Sequence, residues 1–474
     1  MIKIALPAGD LRPPIGRLLS SCGLRVEGYA EGSRSYRLAV EGREDVAARV
    51  FREKDIPIQV ALGNYDLGVC SLAWVKEIQA RFKQRAIVPL RDLELGALSL
   101  VAMGATSACD RLDKLGSLPV VRIASDYPNL ADAFAKSARL ARYRVQGVWG
   151  AAEAYPPEDA DVAIVAVSNP DALSERGLAP LFELLHSSVW LIGNVASLGR
   201  RDLSSVLNLF NAANGNGAQP AEVSFPTRAD TLGASVPLST GERDMLRLAI
   251  PDGHQQRHVQ GALEAAGLLF DGYNGSTPAR RPRTDVDGLE VKVIRPHDMP
   301  QLVAAGEVDV AITGRDCLME HLYSFPSSPA AEVLDLQRGQ YNLAAVVGES
   351  LPANTIGEVM DLWRHEGRDV LRIASEFPAT ADHYARSRHF WRYQVISIAG
   401  ASEGFVPEDA DLLIEGTETG KTLVENKLKV IDLLYRSTTC VIANKNASLQ
   451  RRKRIVYDEL LTRLRRVSEV PESV

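Results

Sequence analysis

GAAEAYPPEDAD, at Gly150–Asp161, returns as GASEGFVPEDAD at Gly400–Asp411. Self-similarity at a long fixed period decides architecture before any single element is read. The match extends in both directions. VRIASDYP (Val121–Pro128) returns as LRIASEFP (Leu371–Pro378), and IGNVASL (Ile192–Leu198) as IANKNASL (Ile442–Leu449). Further upstream, IKIALPAGD (Ile2–Asp10) returns as LRLAIPDGH (Leu246–His254), KDIP (Lys54–Pro57) as HDMP (His297–Pro300), and YDLGV (Tyr65–Val69) as VDVAI (Val308–Ile312). The matches keep their order, with offsets of about 243 to 251 residues. The chain is therefore expected to be a tandem duplication.

Within each copy, short apolar runs alternate with helical stretches. IKIALP reads as a strand, PPIGRLLSSCGL as a helix, and DVAIVAV and DLLIEG as acidic-edged strands that lead into a loop and a helix. This alternation predicts α/β architecture with largely parallel sheets. A copy of this length is generous for one sheet, so each should hold two lobes around a cleft, where α/β proteins bind small ligands. The expected divisions are a first copy at 1–210 (lobe one 1–92 and 186–210, lobe two 93–185) and a second at 245–466 (lobe one 245–338 and 433–466, lobe two 339–432). Residues 211–244, rich in Gly, Asn, Ala and Pro, read as an exposed linker, and 467–474 as a polar tail.

Composition narrows the class. With 474 residues, 46% hydrophobic and 24% charged, the chain is globular rather than disordered, collagenous or coiled-coil. A net charge of −6 argues against a nucleic-acid-coating protein. No apolar run is long enough to span a membrane, and the opening MIKIALPAGD lacks the pattern of a signal peptide. Five scattered cysteines without a CxxC predict reduced core thiols. The expectation is a cytoplasmic protein bound to neither membrane nor nucleic acid.

The segment that carries chemistry is DADLLIEGTETGKTLVENKLKVID, Asp409–Asp432. A strand ends in Glu415; the loop Gly416–Thr422 follows, and a helix is expected to start near Leu423. A loop that enters a helix gathers backbone N–H groups at one place, and the helix dipole favours an anion there. Gly420 permits unusual backbone angles. Thr417, Thr419 and Thr422 add hydroxyls and Lys421 a charge; Glu415 suits vicinal hydroxyls such as those of a ribose. Gly-Lys-Thr suggests an ATPase P-loop, but the first glycine of that motif falls on Glu415, so a P-loop is excluded.

An acidic strand end followed by Thr-Gly-x-Thr-Leu resembles the phosphoribosyl-pyrophosphate loop of ATP phosphoribosyltransferases, which open histidine biosynthesis. VIRPHDMPQLVAAGEVDVAITGRDCL (Val293–Leu318) is similar to another segment of that family, and LRLAIPDGH, LRIASEFP, GASEGFVPEDAD and VIANKNASL agree in order. The resemblance covers nearly the whole chain, once per copy. It implies two-lobed copies like the type II periplasmic binding proteins, and transfer of the 5-phosphoribosyl group from phosphoribosyl pyrophosphate to N1 of ATP with release of pyrophosphate. Mg²⁺ would ride on the substrate phosphates, with no metal held by protein ligands. By this resemblance Glu415 and Lys421 are the catalytic candidates. Thr417, Thr419, Gly420, Thr422 and Leu423 would hold the donor, while Arg295, Gly314, Arg315, Asp316 and Glu403 would line the cleft. It also allows a homo-oligomer and a separate regulatory subunit resembling histidyl-tRNA synthetase. The alternative readings are a regulatory paralogue that binds a nucleotide or phosphosugar without turnover, and a phosphoribosyltransferase with a different acceptor.

The sequence departs from the family pattern at the opening turn. The family has Pro-Lys-Gly-Arg-Leu there, whereas the copies have Pro7-Ala8-Gly9-Asp10 and Pro251-Asp252-Gly253-His254. Arg280, Arg281 and Arg283 are the nearby candidates to compensate. In the first copy the loop is Val167-Ser168-Asn169-Pro170-Asp171, Ala166 stands for the acidic strand end, and Ser71-Leu72-Ala73 replaces Gly-Arg-Asp. That copy is expected not to bind phosphoribosyl pyrophosphate in this mode but to act as a structural partner, with Arg34 or Arg37 reaching the second copy.

Overall fold

The strand Ile2–Pro7 is buried along nearly its whole length, as expected of a parallel strand covered on both faces. In the computed structural model, which describes residues 1–30, 33, 35–82, 86–169, 171–174, 176–212, 219–231, 245–275, 278–417 and 420–468, it lies at the heart of a six-stranded sheet. The order there is Arg37–Ala39, Val46–Phe51, Ile2–Pro7, Leu67–Ser71, Val189–Asn194, Ile87–Asp92. The Ile2–Pro7 strand pairs parallel with Val46–Phe51 and Leu67–Ser71; the returning strand Val189–Asn194 is antiparallel. A second lobe follows as a five-stranded sheet: Leu178–Ser187, Leu98–Ala105, Val162–Val167, Val121–Ser125, Tyr143–Gly147. The first copy thus has two α/β lobes joined by two crossings.

The second copy repeats the lobes but fuses their sheets. Ala330–Gly348 and Leu428–Asn444 run through both lobes as one antiparallel ribbon, giving an eight-stranded sheet. Its order is Leu289–Ile294, Leu246–Pro251, Val310–Gly314, Leu428–Asn444, Ala330–Gly348, Leu412–Thr417, Leu371–Ser375, Tyr393–Ser397. The ribbon's register breaks between Asp335 and Tyr341, where the lobes meet. Gln337 (φ 53°) and Gly339 (φ 58°) turn the chain there, and Glu94 (φ 54°) and Gly96 (φ 58°) do so at the matching point of the first copy. The hinge is therefore duplicated, although the same two strands run through both lobes only in the second copy.

The copies pack head to tail. Lobe one of the first sits against lobe two of the second, and the reverse holds at the other end. Asp55 accepts the Ala399 amide at 2.9 Å, and at the repeat-related place Asp298 accepts the Trp149 amide at 3.2 Å. Tyr65 donates to Asp409 at 2.5 Å and Tyr155 to Asp298 at 2.9 Å. Lys292 pairs with Glu158 at 2.9 Å and Asp159 at 2.6 Å; its counterpart Arg49 pairs with Glu408 at 3.1 Å. Between these polar contacts the interior is continuous. Phe51 meets Tyr65 and Phe405 edge-on, with centroids 5.1 and 4.8 Å away. On the other side Met299 and Leu302 share a core with Met103 and Tyr155. The two copies therefore share apolar cores rather than meeting only at polar surfaces.

The connecting segment, read from composition as exposed, lies against the first copy where it is described. Val223 and Phe225 pack on the core, Ser224 donates its amide to Leu184 at 2.7 Å, and Lys76 pairs with Glu222 at 3.0 Å. All five cysteines are buried thiols without a disulfide. Among the described residues no helix is long and apolar enough to cross a membrane.

Candidate active site

Leu412–Ile414 are buried core positions, so the strand delivers the next residue, Glu415, to the cleft at its end. Glu415 accepts from the Ser402 hydroxyl and from the Gly416 amide, the latter at 3.0 Å. Burial holds its carboxyl well above the usual carboxylate range, and the nearby Glu376 and Glu403 push it further. The loop beyond is folded by its own bonds. Thr417 Oγ1 accepts the Gly420 amide at 3.0 Å, and Gly420, at φ +70°, caps the helix Lys421–Glu425. That helix starts two residues earlier than expected. A side chain on Gly420 would meet nothing within 4 Å, so glycine serves the backbone angle there and not close packing. Thr419 lies outside the described residues. Lys421 is exposed and 4.0 Å from Glu425. Leu423 turns its side chain into the core, so only its backbone is left for a ligand.

The cleft has a volume of about 920 Å³. Its walls bring together Glu415, Thr417, Gly420, Lys421, Thr422, Arg295, Asp316 and Glu403 from the sequence reading. Asp316 is buried, with Ser437 donating to it at 2.8 Å. Two expected residues are not brought there. Arg315 turns to Glu332 (2.7 Å) and Asp335 (2.8 Å), acidic residues on the strand beside it. Gly314 is a packing glycine, because a Cβ would lie 2.1 Å from Asp316 Oδ1 and 2.5 Å from Gln255 Nε2.

The three basic residues expected to compensate for the opening turn are also engaged elsewhere or remote. Arg280 pairs with Asp252 at 2.6 Å, Arg281 with Glu158 at 2.8 Å, and Arg283 borders a separate pocket. Asp252 also takes Arg295, at 3.1 Å.

Three cations that sequence reasoning missed line the same cavity: Arg257 of the second copy, and Arg52 and Lys54 of the first. Arg52 passes Gly400, where a Cβ would stand 2.7 Å from its Nε and 2.9 Å from Glu376 Oε1. Arg295 passes Gly150 in the same way, at 2.9 Å. Each arginine thus crosses a glycine of the opposite copy. The signal was present in the sequence: Arg52-Glu53-Lys54-Asp55-Ile56-Pro57 carries the Arg-x-x-Asp-x-Pro pattern of Arg295–Pro300. Arg37 also reaches the second copy, but at Asn426 O (2.9 Å) and Glu408 (3.3 Å), outside the cleft lining. Arg34 lies outside the described residues.

Carboxylates outnumber cations among the described lining residues. Burial is the first cause of the upward shifts at Glu376 and at Asp126, the latter to about 6; Arg52 and Lys54 oppose the shift at Glu376, and Lys54 does so at Asp126. A column of rings closes one wall. Trp149 stacks on His297 at 4.3 Å, and His297 on Phe377 at 5.3 Å. Burial lowers the His297 pKa, which favours the neutral ring in the stack.

The first copy's own cleft is altered as expected, with one correction of register. Ile164 pairs with Ser125 as Ile414 does with Ser375, so Val165, not Ala166, occupies the place of Glu415. Val165 is buried in the core, and Trp74 stacks on Tyr127 at 4.2 Å where the second copy has Cys317 and Phe377.

Comparison with known proteins identifies the family. The sequence profile of ATP phosphoribosyltransferase matches residues 52–212 and 295–466, well over half the chain. An ATP phosphoribosyltransferase of Methanocaldococcus jannaschii is 31% identical over 226 residues, spanning 47% of this chain and 73% of the relative. One from Rubrobacter xylanophilus is 32% identical over 203 residues, spanning 43% and 88%. The ATP phosphoribosyl transferase (HisG:HisZ) complex from Thermotoga maritima aligns with 48% of this chain and 99% of that one, at 24% identity and a TM-score of 0.38. The profile matches once in each copy, and on that ground the chain belongs to the ATP phosphoribosyltransferase family.

Proposed function

We propose that the family's reaction, transfer of the 5-phosphoribosyl group from phosphoribosyl pyrophosphate to N1 of ATP with release of pyrophosphate, takes place in the cleft of the second copy, with the first copy completing the site. The observation that carries this is the convergence of Glu415, Thr417, Gly420, Lys421, Thr422 and Arg52 on one cavity. The first copy stands in for a second subunit and lacks the Glu415 carboxylate in its own cleft. ATP and phosphoribosyl pyrophosphate are the small-molecule partners of this reading.

The task is to hold two polyanions in line and to stabilise the leaving pyrophosphate. Positioned N–H groups and cations do this without a covalent intermediate. The amides and hydroxyls of Thr417 to Thr422 receive the 5′-phosphate. Glu415 accepts hydrogen bonds from the ribose hydroxyls, its oxygens already oriented by Ser402 and Gly416. Arg52 and Arg295 meet the leaving group from opposite copies. Among the described residues no cluster of three His, Cys, Asp or Glu side chains is set to hold a metal. In this reading, as the family resemblance implies, a Mg²⁺ ion would ride on the substrate phosphates and supply charge neutralisation there.

Pyrophosphate release from ATP, phosphoribosyl pyrophosphate and Mg²⁺ tests this reading, beside Glu415→Gln and Gly420→Pro variants. Turnover lost in both variants supports it. Equal turnover in wild type and variants would move the reaction elsewhere.

A further inference from the structure

Lys54 Nζ stands 4.3 Å over the ring of Trp149, with no ion pair or hydrogen-bond partner among the described residues. Trp149 rests on His297, and His297 on Phe377. The four residues belong to four different lobes: lobe one and lobe two of the first copy, then lobe one and lobe two of the second. One column therefore holds a lysine of the first copy at the edge of the second copy's cleft, which all four residues line.

This lysine adds a cation to a cleft whose lining carries more carboxylates than cations. In the second copy Asp252 stands in the opening turn and engages both Arg280 and Arg295. That wall therefore spends an arginine on a carboxylate. Lys54 is placed the opposite way. At the repeat-related position the second copy has His297, so the lysine is particular to the first copy. Its rest position is a ring face, a weaker contact than a charge-assisted bond to phosphate. A lysine paired with a carboxylate would have to break a stronger contact first. The column keeps the ammonium near the cavity without a direct ion pair, although its charge is felt at Asp126 and Glu376.

We propose that Lys54 is a polyphosphate-binding residue of the second copy's site, supplying in trans between copies the cation that Asp252 has displaced. This rests on the cleft assignment above. The shared chemistry is a di- or triphosphate, which either the donor or ATP presents.

The test compares Lys54→Met, which keeps the aliphatic stem on Trp149, with Lys54→Gln and Lys54→Arg, all in the full chain. Binding of inorganic pyrophosphate is measured first, then KM for each substrate and kcat. Loss of one charged contact to phosphate should weaken binding about tenfold or more in the Met and Gln variants. The kcat should stay within about threefold, and Lys54→Arg should recover most of the affinity. A KM rise for phosphoribosyl pyrophosphate alone puts Lys54 at the donor; a rise for ATP alone puts it at the acceptor triphosphate. Unchanged binding and KM in both neutral variants would overturn the inference, while a Glu415→Gln loss in the same preparation would leave the cleft assignment standing. A wild-type protein that neither turns over nor binds pyrophosphate would overturn both.

Discussion

Asp252 Oδ1 lies 3.1 Å from Arg295 Nη1, so the opening turn of the second copy neutralises an arginine of the cleft instead of adding a cation. Removing that charge should act in two directions. In Asp252→Asn, Arg295 is released toward substrate, and KM for phosphoribosyl pyrophosphate should fall by a few fold at low salt. Stability should fall too, by roughly 1–3 kcal/mol, because a buried hydrogen-bonded partner of two arginines is lost. Steady-state kinetics and thermal denaturation of one variant check both signs.

Arg52 and Arg315 should exchange the importance that motif reading gives them. Arg52→Ala, in the copy without the loop, should lower kcat/KM by about 100-fold, as expected for a charged contact at a leaving group. Arg315→Ala should stay within about threefold and show its effect in the thermal midpoint instead, since Glu332 and Asp335 hold that side chain. Comparable kinetic losses in the two variants would remove the distinction.

Gly400 offers a second route to the same contact. A methyl group there would strike Arg52 and Glu376, at a glycine whose φ of +121° already disfavours other residues. Gly400→Ala should therefore reproduce the kinetic loss of Arg52→Ala, and the double variant should be no worse than either alone. Additive losses would mean that the two residues act separately.

At Gly420 the requirement is the backbone angle alone. Gly420→Ala should cost about 1 kcal/mol locally and weaken binding of phosphoribosyl pyrophosphate several fold, while Gly420→Asn, which tolerates a left-handed turn better, should cost less. Equal effects would point to crowding by a bound phosphate rather than to the angle. Isothermal titration of both variants decides.

Stability should depend on pH through the paired interface carboxylates. Burial raises Asp55 and Asp298 each to about 7. The folded chain therefore keeps protons that the unfolded chain releases near pH 4. Protons are taken up on folding between about pH 4 and 7, and stability from these groups falls as pH rises through that window, by on the order of 1 kcal/mol per unit per carboxyl. In Asp55→Asn/Asp298→Asn the fall in thermal midpoint from about pH 5 to about pH 8 should be smaller than in wild type. A midpoint slope equal to that of wild type would exclude this origin.

The duplication, the lobes and the loop were legible because each is written in contiguous residues: an apolar strand, an acidic end, then Gly and Thr before a helix. The docking of the copies was not. It depends on surfaces such as Phe51, Phe405 and Tyr155, which look like any core residues in a sequence. Arg52 and Trp149 became part of the site only through that docking. Arg315 was misread for the opposite reason: its motif neighbours fix where its backbone lies, while its side chain is decided by Glu332 and Asp335, about 20 residues away. The one-residue slip at Val165 arose because a strand end read from composition carries no register, whereas its pairing partners do.

The core shared by the two copies also sets a schedule for the ribosome. Residues such as Phe51 and Met103 wait for partners that lie about 200 to 350 residues further along the chain. At roughly 5–20 residues per second, that is an interval of tens of seconds in which a finished first half shows an uncovered greasy face. Nascent chains of this protein should lean on holdase chaperones during that interval, and slowing translation across the second half should send more of the product into aggregates.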